Sequence, residues 1–156
     1  MPLFSTPPRV AFRRPWPGTR RGLVLWLLSL VIVVIGAANY IGTTPPPRAL
    51  AALSPVFNFA PPTFWGYLFV VVGLVSAFLS YCHFDRDQVG YRLMGVLTGF
   101  WSLAYLGGFV DGVAGGDPEW RTLGSAAIWF AFCAVLTACA AFPKLPLDFG
   151  RERGGR

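Results

Sequence analysis

The sequence predicts an all-α integral membrane protein: four transmembrane helices in an up-down bundle, with both termini in the cytoplasm. Three observations predict it. The chain of 156 residues is 54% hydrophobic and only 13% charged, where a soluble domain carries about 25% charged residues. Its apolar residues are gathered into four runs that contain no charged side chain. Its basic residues fall almost wholly on one side of those runs. A soluble core of this length would leave most of the apolar surface with nothing to bury against. The composition therefore excludes a disordered chain, a collagen-like repeat and a soluble enzyme domain.

The four runs are 23–41, 63–82, 93–110 and 122–142, of 19, 20, 18 and 21 residues. At 1.5 Å per residue each reaches roughly 27–32 Å, about the thickness of the hydrocarbon core. None has the polar face that a helix on a soluble core shows at 3.6-residue spacing. All fourteen prolines lie outside the runs, with Pro62 and Pro143 immediately beyond the second and the fourth. Proline removes an amide donor and clashes with the preceding turn, so it collects where helices stop. Trp16, Tyr40, Trp65, Tyr67, Tyr81, Tyr91 and Trp120 stand near run ends and are assigned to interfacial belts. Trp26, Trp101 and Trp129 lie deeper, as packing or lipid-facing residues.

Orientation follows from the arginines and the single lysine. The N-terminal segment 1–22 has five basic residues, the second connection has Arg86 and Arg92, and the tail 143–156 has four. Eleven basic residues thus share one side, against Arg48 and Arg121 on the other. This is a strong positive-inside bias, and it places the chain in the cytoplasmic (inner) membrane as a multi-pass protein with both termini inside. The net charge of +6 is a topology signal, and with no aromatic-interleaved basic face it predicts no nucleic-acid partner. A competing reading takes Thr19–Leu23 as a twin-arginine signal cleaved near Gly36–Ala38. The first run is too long and too apolar for a signal core and no A-x-A site follows, so it is read as a retained span.

The first connection, 42–62, is proline-rich, and its composition predicts a semi-rigid loop without a fold of its own. The alternative is a short helical turn over Pro47–Leu53 lying in the interface, with Val56, Phe57 and Phe59 dipping into the headgroups. The second connection, His83–Arg92, is short and polar, and the third, Asp111–Arg121, is glycine-rich and acidic, suited to a tight turn. Connections this short make neighbouring helices antiparallel.

No pattern in the chain supports catalysis. There is no G-x-S-x-G, H-E-x-x-H or Walker loop, and the single histidine excludes His pairs. Cys82-His83-x-Asp85-x-Asp87 is read as a solvated turn with helix-capping aspartates rather than a metal site, since zinc takes four ligands with supporting groups. Asp111, Asp117 and Glu119 are likewise read as turn residues, and Cys82, Cys133 and Cys139 form no C-x-x-C pair. The expectation is a protein with no catalytic, cofactor or metal site. Transporters and pumps place ionisable groups at the midplane, whereas here it offers only Ser29, Thr98, Ser102, Tyr105 and Thr137.

What the spans do carry is a pattern of small residues. In the fourth run Gly124, Ala127, Ala131, Ala134, Ala138 and Ala141 recur at alternating steps of three and four. The third adds Gly95-x-x-x-Gly99 with Ser102 on the same face, the second Gly66, Gly73 and Ser80, and the first Ser29 and Gly36. Lipid tails are as apolar as leucine, so helices in a bilayer associate by close backbone approach along such stripes. Two readings follow. Either the small faces meet inside one bundle, or at least one, with the fourth helix as first candidate, faces a second copy in a homo-oligomer.

Twelve of the thirteen basic residues are arginine, and alanine, glycine and proline are abundant, as in GC-rich genomes. The Arg-rich N-terminus, the proline-rich first connection, the Asp87-Gln88-Val89-Gly90-Tyr91 lead into the third helix and the Gly115–Trp120 turn together resemble small four-helix membrane proteins of actinobacterial phages. Some of these are holins encoded beside endolysins. The resemblance covers most of the chain, defines no functional residues, and implies permeabilisation of the host membrane during lysis. The alternative is a non-enzymatic scaffold, or a phage exclusion or accessory protein, with a host membrane protein as partner. In either case the lipid bilayer is the first partner.

Overall fold

The computed structural model describes residues 20–42, 45, 47–81, 86–117 and 119–141. Among these, six helices form and no strand: α1 (Arg20–Tyr40), α2 (Pro47–Ala52), α3 (Ser54–Phe59), α4 (Pro62–Leu79), α5 (Arg86–Ala114) and α6 (Trp120–Ala141). Four of them, α1, α4, α5 and α6, are long and apolar enough to cross a membrane. Trp16, Cys82, His83 and Asp85 lie outside the described residues.

Three of the long helices match their apolar runs to within about three residues. The exception is α5, whose 29 residues extend the 93–110 run by two turns at its start and one at its end. A run defined by apolarity cannot register a helix that continues through Asp87, Gln88 and Arg92. Asp111, expected in the connection, is therefore helical. The helix stops one turn later. Gly116 adopts φ +79°, its N–H donates to the Val113 carbonyl, and the Asp117 N–H donates to the Gly112 carbonyl. That pair of bonds is a Schellman stop, for which glycine has no Cβ penalty.

Among the long helices, α1 and α4 approach closely at their glycines. Residues 22, 25, 29, 32, 36 and 40 form the buried stripe of α1, the three-and-four spacing that keeps side chains on one face. A Cβ placed on Gly36 would lie 2.6 Å from the Phe69 Cβ and 2.8 Å from the Gly66 carbonyl oxygen, and one on Gly73 2.9 Å from the Ser29 carbonyl oxygen. Ser29 and Gly36 on α1 thus meet Gly73 and Gly66 on α4, seven residues apart on each strand of the joint and in opposite chain directions. Next, α5 packs on this pair. Gly90 sits under Leu25 and Ser76, and the Ser76 hydroxyl donates to the Gly90 carbonyl at 3.2 Å. On the far side, α6 packs on α5, and only Thr122, Ala126 and Leu136 of its 22 residues are buried.

The proline-rich connection is not the unfolded loop its composition predicts. It forms α2 and α3, and these seal one end of the core. Leu53 is fully buried, Val56 and Phe57 pack against the core, and the Phe57 ring stands edge-on to Tyr40 at 6.4 Å. The Ala52 carbonyl rests directly on Gly108 of α5, where any Cβ would displace it. Of the three residues expected in the headgroups, only Phe59 is exposed, at 84%.

The aromatic belts need a similar correction. Tyr67, Tyr81 and Trp120 are exposed, but Tyr40, Trp65 and Tyr91 are core residues at 5%, 7% and 1% exposure. Position along the chain places a residue at a helix end, and only the helix face decides whether it meets lipid or protein. Trp101, read as deep, is fully buried. Its indole N–H donates to the Tyr40 hydroxyl at 3.0 Å, and Trp65 and Phe69 pack against its ring.

Candidate functional site

The small residues of α5 and α6 take two different positions. Gly95, Gly99 and Ser102 of α5 lie along α6. The Ser102 hydroxyl donates to the Ala126 carbonyl at 2.9 Å, and the Cys133 thiol donates to the Gly95 carbonyl at 3.4 Å. A Cβ on Gly99 would meet the Cys133 sulfur at 3.4 Å, so Gly95, Gly99 and Ser102 form the α5 half of an interhelical seam inside the chain.

The α6 half of that seam is not the predicted stripe. Ala126 and Cys133 supply it, on a face that also carries Thr122, Trp129, Leu136 and Ala140, all buried or half-buried, with the Trp129 ring against Phe69 of α4. Gly124, Ala127, Ala131, Ala134, Ala138 and Ala141 are all exposed, and around Gly124 nothing lies within 4 Å of where a Cβ would be. The two stripes are out of step by one or two residues at every level, which at 100° per residue puts them about 150° apart on the helix. The six small residues therefore point away from α5. Beside them stand Ile128, Phe130 and Val135, exposed by 71%, 67% and 50%.

A second constellation lies at the end of the molecule where α1 and α5 begin. The Arg21 Nε is 3.1 Å from the Asp87 Oδ2, with both side chains more than nine-tenths buried. The Arg21 guanidinium carbon stands 5.6 Å from the centre of the Tyr91 ring, and the Tyr91 hydroxyl donates to the Arg21 carbonyl at 2.7 Å. Asp87 Oδ1 also accepts from the Gln88 N–H at 3.0 Å, a local bond at a helix start where a carboxylate is favoured by the helix dipole. The expectation of a solvated capping aspartate is thus half right. Asp87 accepts from an N–H of the first turn, but in a buried site and against an arginine. By charge alone Arg21 is one more topology residue; the signal that pairs it with Asp87 is positional. Arg21 precedes the Leu25–Ser29–Ile32 stripe by one turn, and Asp87 precedes Tyr91 and Met94, so both charges open helices on their inward faces.

At the opposite end, α2, the end of α5 and the start of α6 enclose an open cleft of about 810 Å³. Its lining includes Asp111, Asp117, Glu119, Trp120 and Arg121. The Thr122 hydroxyl donates to Glu119 Oε2 at 3.5 Å. Among the described residues no group of three or more His, Cys, Asp or Glu side chains is arranged to hold a metal ion. Comparison of the chain with protein-family models, curated proteins and solved structures found no match.

Proposed function

We propose that the chain is a non-enzymatic, multi-pass protein of the cytoplasmic membrane that works by association of its copies through α6. In its most specific form, this reading makes it a holin-type protein that permeabilises the membrane for phage-driven lysis. Its four long helices cross in up-down order, with the Arg21–Asp87 end and both termini in the cytoplasm and the 810 Å³ cleft outside. The orientation rests on the eleven-to-two distribution of basic residues.

The observation that carries the reading is the outward stripe of α6. On α1, α4 and α5 the small residues at regular spacing are taken up by contacts within the chain. On α6 six of them are left exposed in a row. In a bilayer, a smooth face of this kind allows backbones to approach closely enough for dispersion contacts between copies.

Expression in a bacterial host with a potential-sensitive dye tests this. The expected result is normal growth, then an abrupt loss of membrane potential at a reproducible time, delayed in an Ala131→Leu, Ala134→Leu variant. Sustained growth at full potential, in cells whose membranes contain the protein, overturns the holin-type reading. The second reading, a scaffold or phage exclusion protein that binds a host membrane partner, draws on the outer cleft with its three carboxylates, Trp120 and Arg121. It expects harmless expression and a co-purifying partner that Trp120→Ala releases.

A further inference from the structure

The chain is built as two close helix pairs that share one core, and the aromatic part of that core lies between them. Close backbone approach runs along α1 and α4 at Gly36, Gly66 and Gly73, and along α5 and α6 from Ser102 to Cys133. Between the pairs, α4 meets α5 at Ser76 and Gly90 near one end and through Trp65 and Phe69 on Phe100 and Trp101 further along, with Phe69 also reaching Trp129 of α6, whereas α1 meets α5 at scattered points. These include Leu25 over Gly90, the Ser29 hydroxyl on the Met94 sulfur at 3.7 Å, Trp101 on Tyr40 at the far end, and the Arg21–Asp87 pair with Tyr91 at the near end.

We infer that the Arg21–Asp87 pair is a conformational latch, closing the α1/α4 pair on the α5/α6 pair at the end where α1 and α5 begin. Burying two charges costs desolvation that their attraction only about repays, so such a pair adds little net stability over an apolar one. Its use lies in specifying one arrangement and in having a second within reach. Each residue is the second of its helix, in the first turn rather than at mid-span. A small splay of α1 from α5 hydrates both charges, so the open state recovers in solvation what it loses in pairing. The same pair at the centre of a span would have no water to open into. Tyr91 holds the closed state, its hydroxyl on the Arg21 carbonyl and its ring beside the guanidinium. The inference does not depend on what α6 binds.

The test is a distance measurement on the full chain in lipid nanodiscs, with its three cysteines replaced by alanine. Spin labels replace Val24 on α1 and Val89 on α5, both exposed. With the native pair, a main short distance is expected, plus a minor longer one on the order of 10% of the population, displaced by roughly 5 Å. Arg21→Met with Asp87→Leu should abolish the longer component, since an apolar pair gains nothing from water. Asp87→Asn should make it the major one, and the reciprocal exchange Arg21→Asp with Asp87→Arg should return the short distance. One identical distance in the native chain and in the apolar double variant overturns the latch, whether or not Asp87→Asn yields folded protein. So does an exchange variant that folds and stays open.

Discussion

The α1/α4 joint and the outward face of α6 are written in the same residues and do opposite things. Each presents glycine, alanine or serine at helical spacing. In the joint, each of the three glycines is matched by bulk from across the interface: Phe69 lies over Gly36, Val33 over Gly73, and Ile41 and Tyr40 over Gly66. On α6 the stripe is exposed among the described residues, and so are the large residues beside it, Ile128 and Phe130. Small-residue periodicity therefore encodes that something comes close. Which surface comes close depends on where complementary bulk is carried, and that is a property of two helices at once.

The sharpest way to break this contrast is to fill both surfaces. Leucine at Gly36 would drive a side chain into the Phe69 Cβ and the Gly66 carbonyl, neither of which can yield without moving a helix. A destabilisation of about 3 kcal/mol or more is expected, read as a lowered unfolding midpoint in mixed micelles. Gly108→Ala comes next, at about 2 kcal/mol. Its Cβ must push the Ala52 carbonyl off α5, so hydrogen exchange should quicken in residues 47–60 while α1 and α4 keep their protection. Ser102→Ala removes one interhelical bond to the Ala126 carbonyl, and in a membrane such bonds average about 0.6 kcal/mol. A loss several times larger would mean that the α5/α6 seam depends on this bond more than on packing.

The same contrast explains what could be read in advance. The four long helices were legible, because hydrophobic length and proline placement are properties of one segment. The inner faces of α1 and α4 were legible in part, through Ser29, Gly36, Gly66 and Gly73. What could not be read was facing. Tyr40, Trp65 and Tyr91 stand near run ends and are buried, because a uniformly apolar helix carries no polar stripe to mark its outside. The α2–α3 cap was hidden for a related reason. Prolines at positions 47, 55, 61 and 62 suggest a loop, yet Pro55 and Pro62 stand at the first turns of their helices, where the missing N–H has no partner to lose. Arg21 and Asp87 were counted separately because they are 66 positions apart in sequence, and only the fold brings them together.

The smallest expected effect is the most informative. Leucine at Ala131 and Ala134 enlarges two exposed positions on the face of α6 turned away from α5. Folding of the single chain should therefore change by no more than about 0.5 kcal/mol, as for other surface substitutions. Self-association, followed by energy transfer between labelled copies in liposomes at fixed protein-to-lipid ratio, should fall to the level of random proximity. Gly36→Leu is the reverse control, since it should unfold the chain before association is reached. If Ala131→Leu with Ala134→Leu destabilises the monomer as Gly36→Leu does, then α6 packs inward along that stripe and the contrast between the two surfaces disappears. If neither stability nor association responds, the stripe faces lipid alone, and the purpose of its six small residues lies elsewhere than in contact between copies.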